Sequence, residues 1–301
     1  MLNTIIKNHL FDTISQQCYS IFNMKYFSLP AFEKAGLVRT VFTTSQNIAW
    51  KYGEEGCFEN YSELGQSLGI KPDQMVKTIQ KHTNKIRIVT KENAGEGVSR
   101  PISAEYDEYD GLITNEKKLL LCTVEADCVP VYLLDTEKKV IGMVHSGWKG
   151  TVKKISEVAI KLMVEKFACN PRNILVGLGP HICKECYEVG QDVYEEFAQG
   201  FCKEKELPDK IDSEKLNRIF YRKNDKKSEQ KYLLNLEEAV KLTVMECGVP
   251  ECNISSAGYC TLHSEIALED KQGKSGETIR FCSYRRTKSS CERMLTAIML
   301  V

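Results

Sequence analysis

Four short, apolar, β-rich segments crowd into the middle of this chain: LLLCTV (Leu119–Val124), VYLL (Val131–Leu134), VIGMVH (Val140–His145) and ILVGLG (Ile174–Gly179). Runs of this length and composition predict strands, and IRIVT (Ile86–Thr90) adds an alternating, half-buried one. Between the third and fourth runs, Val152, Ile155, Ala159, Leu162, Met163 and Phe167 follow helical spacing. They predict one helix over 151–167 with Thr151 as its N-cap. Further helices are expected at Asp192–Phe197 and at Leu236–Cys247, the latter stopped by Gly248 and Pro250. Strands and helices mix without strict βαβ alternation, which predicts a mixed α/β (α+β) domain rather than a doubly wound sheet.

Charge limits the function classes. The 301 residues carry 41 Lys+Arg against 41 Asp+Glu, net +0, which argues against a general nucleic-acid binder and leaves room only for a local basic patch. No stretch reaches the roughly 18 apolar residues of a membrane helix. The start, MLNTIIKNHLFDTISQQ, breaks its apolar pairs with Asn, Lys, His and Asp, unlike a secretory signal. Thirteen cysteines show no regular framework, so most are expected as reduced thiols in a cytoplasm. The expected layout is an N-terminal extension (1–30) and one domain (31–301), with an exposed charged excursion at about 203–231.

Only five histidines are present: His9, His82, His145, His181 and His263. A four-residue loop, Asp135-Thr136-Glu137-Lys138, joins two of the strands as a hairpin. If Leu134 pairs with Lys139, continuing the ladder sets Cys128 directly opposite His145. Opposed side chains lie about 4.5–5.5 Å apart at Cβ, close enough to share a metal ion. Pro130 interrupts this ladder, and a one-residue slip would send the two to opposite faces. A catalytic ion needs a third ligand and an open position. His82, just before a predicted strand and beside polar residues, is the leading candidate. Cys183-Lys184-Glu185-Cys186 has no second C-x-x-C to complete a zinc knuckle. Gly177-Leu178-Gly179-Pro180 could offer amides to an anion or form a tight turn, and Ser283-Tyr284-Arg285-Arg286 could grip a phosphate. Trp148-Lys149 adds a stacking surface and a cation beside His145.

The runs Glu125-Ala126-Asp127-Cys128-Val129-Pro130-Val131 and His145-Ser146-Gly147-Trp148-Lys149-Gly150 resemble the ADC-x-PV and H-x-GW-[RK]-G motifs of the bacterial laccase-domain (polyphenol oxidoreductase) family. Its members have been called peptidoglycan editing factor and purine nucleoside phosphorylase. Gln80-Lys81-His82, Asp110-Gly111-Leu112-Ile113-Thr114, Cys186-Tyr187-Glu188-Val189-Gly190, Gly258-Tyr259-Cys260-Thr261 and Ser283-Tyr284-Arg285-Arg286 extend the resemblance from about Val38 to the C-terminus. The resemblance implies a sandwich like the catalytic domain of deamidating necrotizing toxins. It also implies a zinc or copper ion on His82, Cys128 and His145, with phosphorolysis of adenosine, inosine and methylthioadenosine plus adenosine deamination. Catalytic residues are then expected at His82, Cys128 and His145. Lys149 and Arg285 are expected to bind the anion, and Gln80 and Asp127 to orient substrate. Two departures stand out: Ser45 replaces an arginine in Phe42-Thr43-Thr44-Ser45-Gln46-Asn47, which also lacks a glycine pair, and Thr83 follows the histidine in place of glycine.

Five scattered histidines cannot build a blue-copper site plus a trinuclear cluster, so a literal multicopper laccase is excluded. The alternatives are a peptidoglycan-precursor editing hydrolase and a metal-binding protein with weak copper-dependent phenol oxidation or no turnover.

Overall fold

The computed structural model describes residues 2–5, 17–21, 24–44, 48–201, 213–222, 231–269, 275–288 and 292–301. Two sheets carry the fold. The first runs in spatial order β1 (Leu2–Ile5), β2 (Gln17–Ile21), β3 (Met24–Phe27), β4 (Val38–Thr43), β18 (Met294–Leu300), β8 (Leu120–Glu125) and β5 (Met75–Lys77). The second runs β15 (Ile254–Ser256), β11 (Ile174–Leu178), β9 (Val129–Asp135), β10 (Val140–Ser146), β7 (Gly111–Thr114) and β6 (Ile86–Ile88). Smaller sheets join β12 (Glu188–Val189), β14 (Tyr232–Leu234) and β13 (Phe220–Arg222), and β16 (Glu265–Glu269) with β17 (Ser275–Arg280). The helices are α1 (Pro30–Lys34), α2 (Cys57–Leu68), α3 (Trp148–Val152), α4 (Ile155–Phe167), α5 (Gln191–Gly200), α6 (Ser213–Ile219), α7 (Leu236–Glu246) and α8 (Tyr284–Thr287). No described helix is long and apolar enough to cross a membrane.

The apolar runs are continuous because both faces of the central strands are buried. Side chains alternate across a strand, and β8, β9, β10 and β18 feed alternate residues to different cores. Leu121, Tyr132, Leu134, Ile141, Met143 and Ile298 meet between the two sheets. Leu120, Cys122, Leu295 and Ala297 face outward onto α2 through Tyr61 and Leu64. On the far side, Val131, Leu133, Val140 and Val144 pack against Ala159, Ile160 and Met163 of α4 and Ala239 and Val240 of α7. The result is a four-layer sandwich, helix, sheet, sheet, helices.

Two expectations change. The helix expected over 151–167 is broken at Lys154, whose φ of 59° ends α3 and starts α4. Thr151 is no N-cap but lies inside α3, donating to the Gly147 carbonyl at 2.9 Å and sharing a 2.8 Å bond with Ser146 Oγ. Within the expected excursion at about 203–231, α6 and β13 bury Leu216, Ile219 and Phe220 in the core. Apolar residues at i, i+3 and i+4 suffice to do this despite the surrounding charge; 203–212 and 223–230 lie outside the described residues. Of the segment expected as an extension, Met24, Tyr26, Phe27 and Leu29 are buried, and β3 pairs with β4.

The second change is the hairpin register. Asp135, not Leu134, closes the ladder, opposite Val140, and His145 stands opposite Pro130. The buried Asp135 carboxylate accepts the N–H groups of Glu137 (3.0 Å) and Lys138 (2.8 Å), which starts the turn one residue later than expected. Lys139, at φ 54°, completes it. The slip against the expected ladder is two residues, an even number. Cys128 therefore stays on the face of His145 as its diagonal neighbour just before β9.

Candidate metal centre

The face shared by His145 and Cys128 is the inter-sheet face, where β8 and β10 end. His82 arrives from the loop before β6. One ligand atom from each of His82, Cys128 and His145 lies within 4.8 Å of the others. Cys128 Sγ is 3.8 Å from His82 Nε2, and the two imidazoles meet edge to face with centroids 4.9 Å apart. Zinc–sulfur bonds of about 2.3 Å and zinc–nitrogen bonds of about 2.0–2.1 Å at a tetrahedral angle separate such donors by about 3.5–3.6 Å, so the donor set fits an ion.

Asp110 organises the centre. Its Oδ1 accepts from His145 Nδ1 at 2.8 Å and from the His82 N–H at 2.9 Å. Oδ2 accepts from the N–H groups of Lys81 (3.1 Å) and Thr83 (2.7 Å) and from Thr83 Oγ1 (2.8 Å). A carboxylate on Nδ1 fixes the His145 tautomer and leaves Nε2 as the nitrogen available to an ion. The three consecutive N–H groups also hold His82 at φ 58°, a left-handed conformation that costs on the order of 1–3 kcal/mol outside glycine. Gly147 completes the cradle: a Cβ there would stand 2.7 Å from His82 Cδ2 and 2.8 Å from Cys128 Sγ.

The electrostatics follow from burial and from this partner set. Burial, then the neighbouring His145, pushes His82 down to about 4, so it is neutral and able to ligate at pH 7. Burial opposes the charge on Asp110, yet the hydrogen bond and charge of His145, with the Thr83 donors, hold its carboxyl below the usual range. Burial also opposes charge on His145, but Glu125 and Cys128 outweigh it and raise its pKa. Glu125 is fully buried, and burial lifts it to about 7. Its Oε2 lies 3.6 Å from His145 Nε2 and has no hydrogen-bond partner. A buried carboxylate oxygen without a donor, beside the inward-facing nitrogen, suits an electropositive occupant.

The remaining expected residues differ in how far their polar groups are already engaged. The Gln80 amide is spent on the Val124 backbone, donating at 2.8 Å and accepting at 2.9 Å. Asp127, at φ 85°, accepts from Thr261 Oγ1 and the Arg285 N–H, both at 2.6 Å. Its carbonyl also takes the Ile182 N–H at 3.0 Å. Arg285 stacks 5.1 Å from the Tyr187 ring and donates to the Glu188 carbonyl at 3.0 Å. Lys149 is exposed, 5.5 Å from the Trp148 ring, and with Arg293 bears on the charge of His82. Gly177 and Gly179 are packing glycines, since a Cβ would stand 2.7 Å from Leu29 Cδ1 and 2.6 Å from Pro130 Cγ respectively. Ser45, Gln46 and Asn47 lie outside the described residues.

Sequence reasoning missed Asp110, Glu125 and Gly147 as parts of the centre. An aspartate directly ahead of the apolar GLIT strand was the available signal for the first.

Residues 31–301 match the family model described as multi-copper polyphenol oxidoreductase laccase. The chain belongs to this family. Purine nucleoside phosphorylase YlmD of Bacillus subtilis is 33% identical over 206 residues, 67% of this chain and 68% of that protein. Adenosine deaminase RL5, from an unknown prokaryotic organism, is 27% identical over 198 residues, 66% of this chain and 69% of that protein. The crystal structure of YlmD from Geobacillus stearothermophilus superposes with a TM-score of 0.71 at 23% identity, covering 99% of both chains. The mixed α/β fold is thus the one seen in that protein.

Proposed function

We propose that this protein is a metal-dependent purine nucleoside phosphorylase. It converts adenosine, inosine or methylthioadenosine to free base and ribose 1-phosphate, with adenosine deamination as a side activity at the same centre. The observation that carries the reading is the convergence of His82, Cys128 and His145 on one point, three protein donors rather than four. The names of the relatives support the substrate class.

The donor set of one thiolate and two imidazoles favours zinc over copper in this reading. When bound, the ion supplies Lewis-acid polarisation at a position the protein leaves open. The chain's own residues do the rest. Asp110 holds the ligand tautomer of His145 and the strained turn of His82. Lys149 and the Arg285 guanidinium supply the cations that draw phosphate to the ribose C1′ as the base leaves. Asp127 and Gln80, whose polar atoms are engaged by the backbone and Thr261, act as positioning residues. The described cysteines are free thiols, as in a reducing compartment, which supports a cytoplasmic setting.

Incubating purified protein with adenosine, with and without phosphate, tests the reading by chromatography of the products. Adenine and ribose 1-phosphate only with phosphate are expected, with a smaller amount of inosine in both tubes. Unchanged adenosine in metal-loaded protein would overturn it.

A further inference from the structure

A second group of metal-ligating side chains lies apart from His82, Cys128 and His145. One donor atom from each of Cys183, Cys186, Cys260 and His263 falls within 4.8 Å of the others. His263 Nδ1 is 3.3 Å from Cys186 Sγ and 4.0 Å from Cys183 Sγ. We infer that these four residues form a structural Cys3His metal site, with zinc as its ion.

The local backbone is built for it. The donors come in two tight turns, Cys183-Lys184-Glu185-Cys186 and Cys260-Thr261-Leu262-His263. In the first, the Cys186 N–H returns to the Cys183 carbonyl at 3.1 Å. In the second, the Ser264 N–H returns to the Cys260 carbonyl at 2.9 Å, while Ser264 Oγ accepts the Cys260 N–H at 2.8 Å. A parallel bridge between His181 and Cys260 zips the turns side by side. The Arg286 guanidinium clamps the second by donating to the carbonyls of Thr261 (3.0 Å) and Leu262 (2.8 Å).

The donor spacing suits tetrahedral zinc. Sulfur–sulfur separations of about 3.8 Å and sulfur–nitrogen separations of about 3.6 Å are required, and the two measured sulfur–nitrogen distances bracket the second. Three thiols lose their protons on binding, which leaves one net negative charge around a divalent ion. The Cys183 N–H, 3.4 Å from Cys260 Sγ, is placed to stabilise that charge. A disulfide between Cys183 and Cys186 would leave the convergence of Cys260 and His263 without a purpose. Four donors close the coordination sphere, so this site holds structure rather than substrate.

What it holds is the wall of the first centre. Ile182, beside Cys183, donates its N–H to the Asp127 carbonyl, and Thr261, inside the second turn, donates to the Asp127 carboxylate. The ion therefore pins both loops that fasten the residue preceding Cys128.

Metal content of the full chain, purified under reducing conditions without chelator, tests this independently of any catalytic activity. The wild type is expected to carry about two zinc ions per chain, and His82→Ala/Cys128→Ala/His145→Ala about one. Cobalt added to that triple variant should give the intense visible bands of tetrahedral thiolate coordination. His263→Cys should keep the ion and move those bands. Zinc should slow alkylation of Cys183, Cys186 and Cys260 at least ten-fold in the wild type, a readout that needs no substitution at the site. A triple variant that holds no ion, cobalt spectra without thiolate bands, or alkylation indifferent to zinc would each overturn the assignment. So would a Cys183–Cys186 disulfide that re-forms in freshly reduced protein.

Discussion

Replacing Gly147 with alanine isolates the first metal centre from the stability of the fold. Gly147 sits at φ −75° and ψ 170°, a conformation open to any residue. As the N-cap of α3 it loses at most about 1 kcal/mol to alanine. The new Cβ, however, stands 2.7 Å from His82 Cδ2 and 2.8 Å from Cys128 Sγ. Relieving each clash needs a shift of about 0.7 Å, against the roughly 0.2 Å that metal–ligand distances tolerate. The expected loss is on the order of 100-fold in metal affinity, or about 2.8 kcal/mol, with the metal-free protein destabilised by less than about 1 kcal/mol. Competition against a chromophoric chelator reads the affinity, and denaturant unfolding of chelator-stripped protein reads the fold. An affinity within about two-fold of the wild type would refute the cradle argument, because the same displacement then leaves the ligands in place.

Three further outcomes are expected. Asp110→Asn leaves one acceptor oxygen for five donors; stability should fall by about 3 kcal/mol and metal affinity by roughly 10- to 100-fold, and an unaltered chelator titration would exclude the positioning role. Lys149→Ala should raise the KM for phosphate about ten-fold, with metal content unchanged by elemental analysis, if a cation at that corner receives the anion. Glu237 carries the pH prediction. Burial opposes its charge, but the hydrogen bond and charge of His181, then Lys241, hold it at about 2. Its folded pKa lies below the unfolded one, so the stabilisation is complete above about pH 4.5 and is lost as pH falls toward 2. It amounts to about 3 kcal/mol. Chemical denaturation of chelator-stripped protein between those pH values should show the loss, and Glu237→Gln should flatten the curve.

Much was legible locally. The apolar runs became β8 to β11, because fully buried strands need continuous apolar sequence. The family, and the three donors proposed to hold the ion, came from short motifs whose residue types suit metal coordination. Even the expected hairpin pairing, wrong by two residues, kept Cys128 and His145 on one face, since the strand period is two.

Other features depended on contacts between segments distant along the chain. The register turned on the Asp135 carboxylate capping its own loop. Asp110 drew its role from two histidines on different elements, 28 and 35 residues away. Cys186 met His263 across 77 residues, which is why C-x-x-C looked unpaired when its complement was the C-x-x-H at Cys260. The sequence by itself determined the central strands β8 to β11, the residue types that could hold a metal and the family they belong to, because those depend on side-chain chemistry and short-range periodicity. The tertiary structure alone decided which donors meet and what orients them. Burial spread over three apolar clusters brings distant loops together, and no local spacing records that.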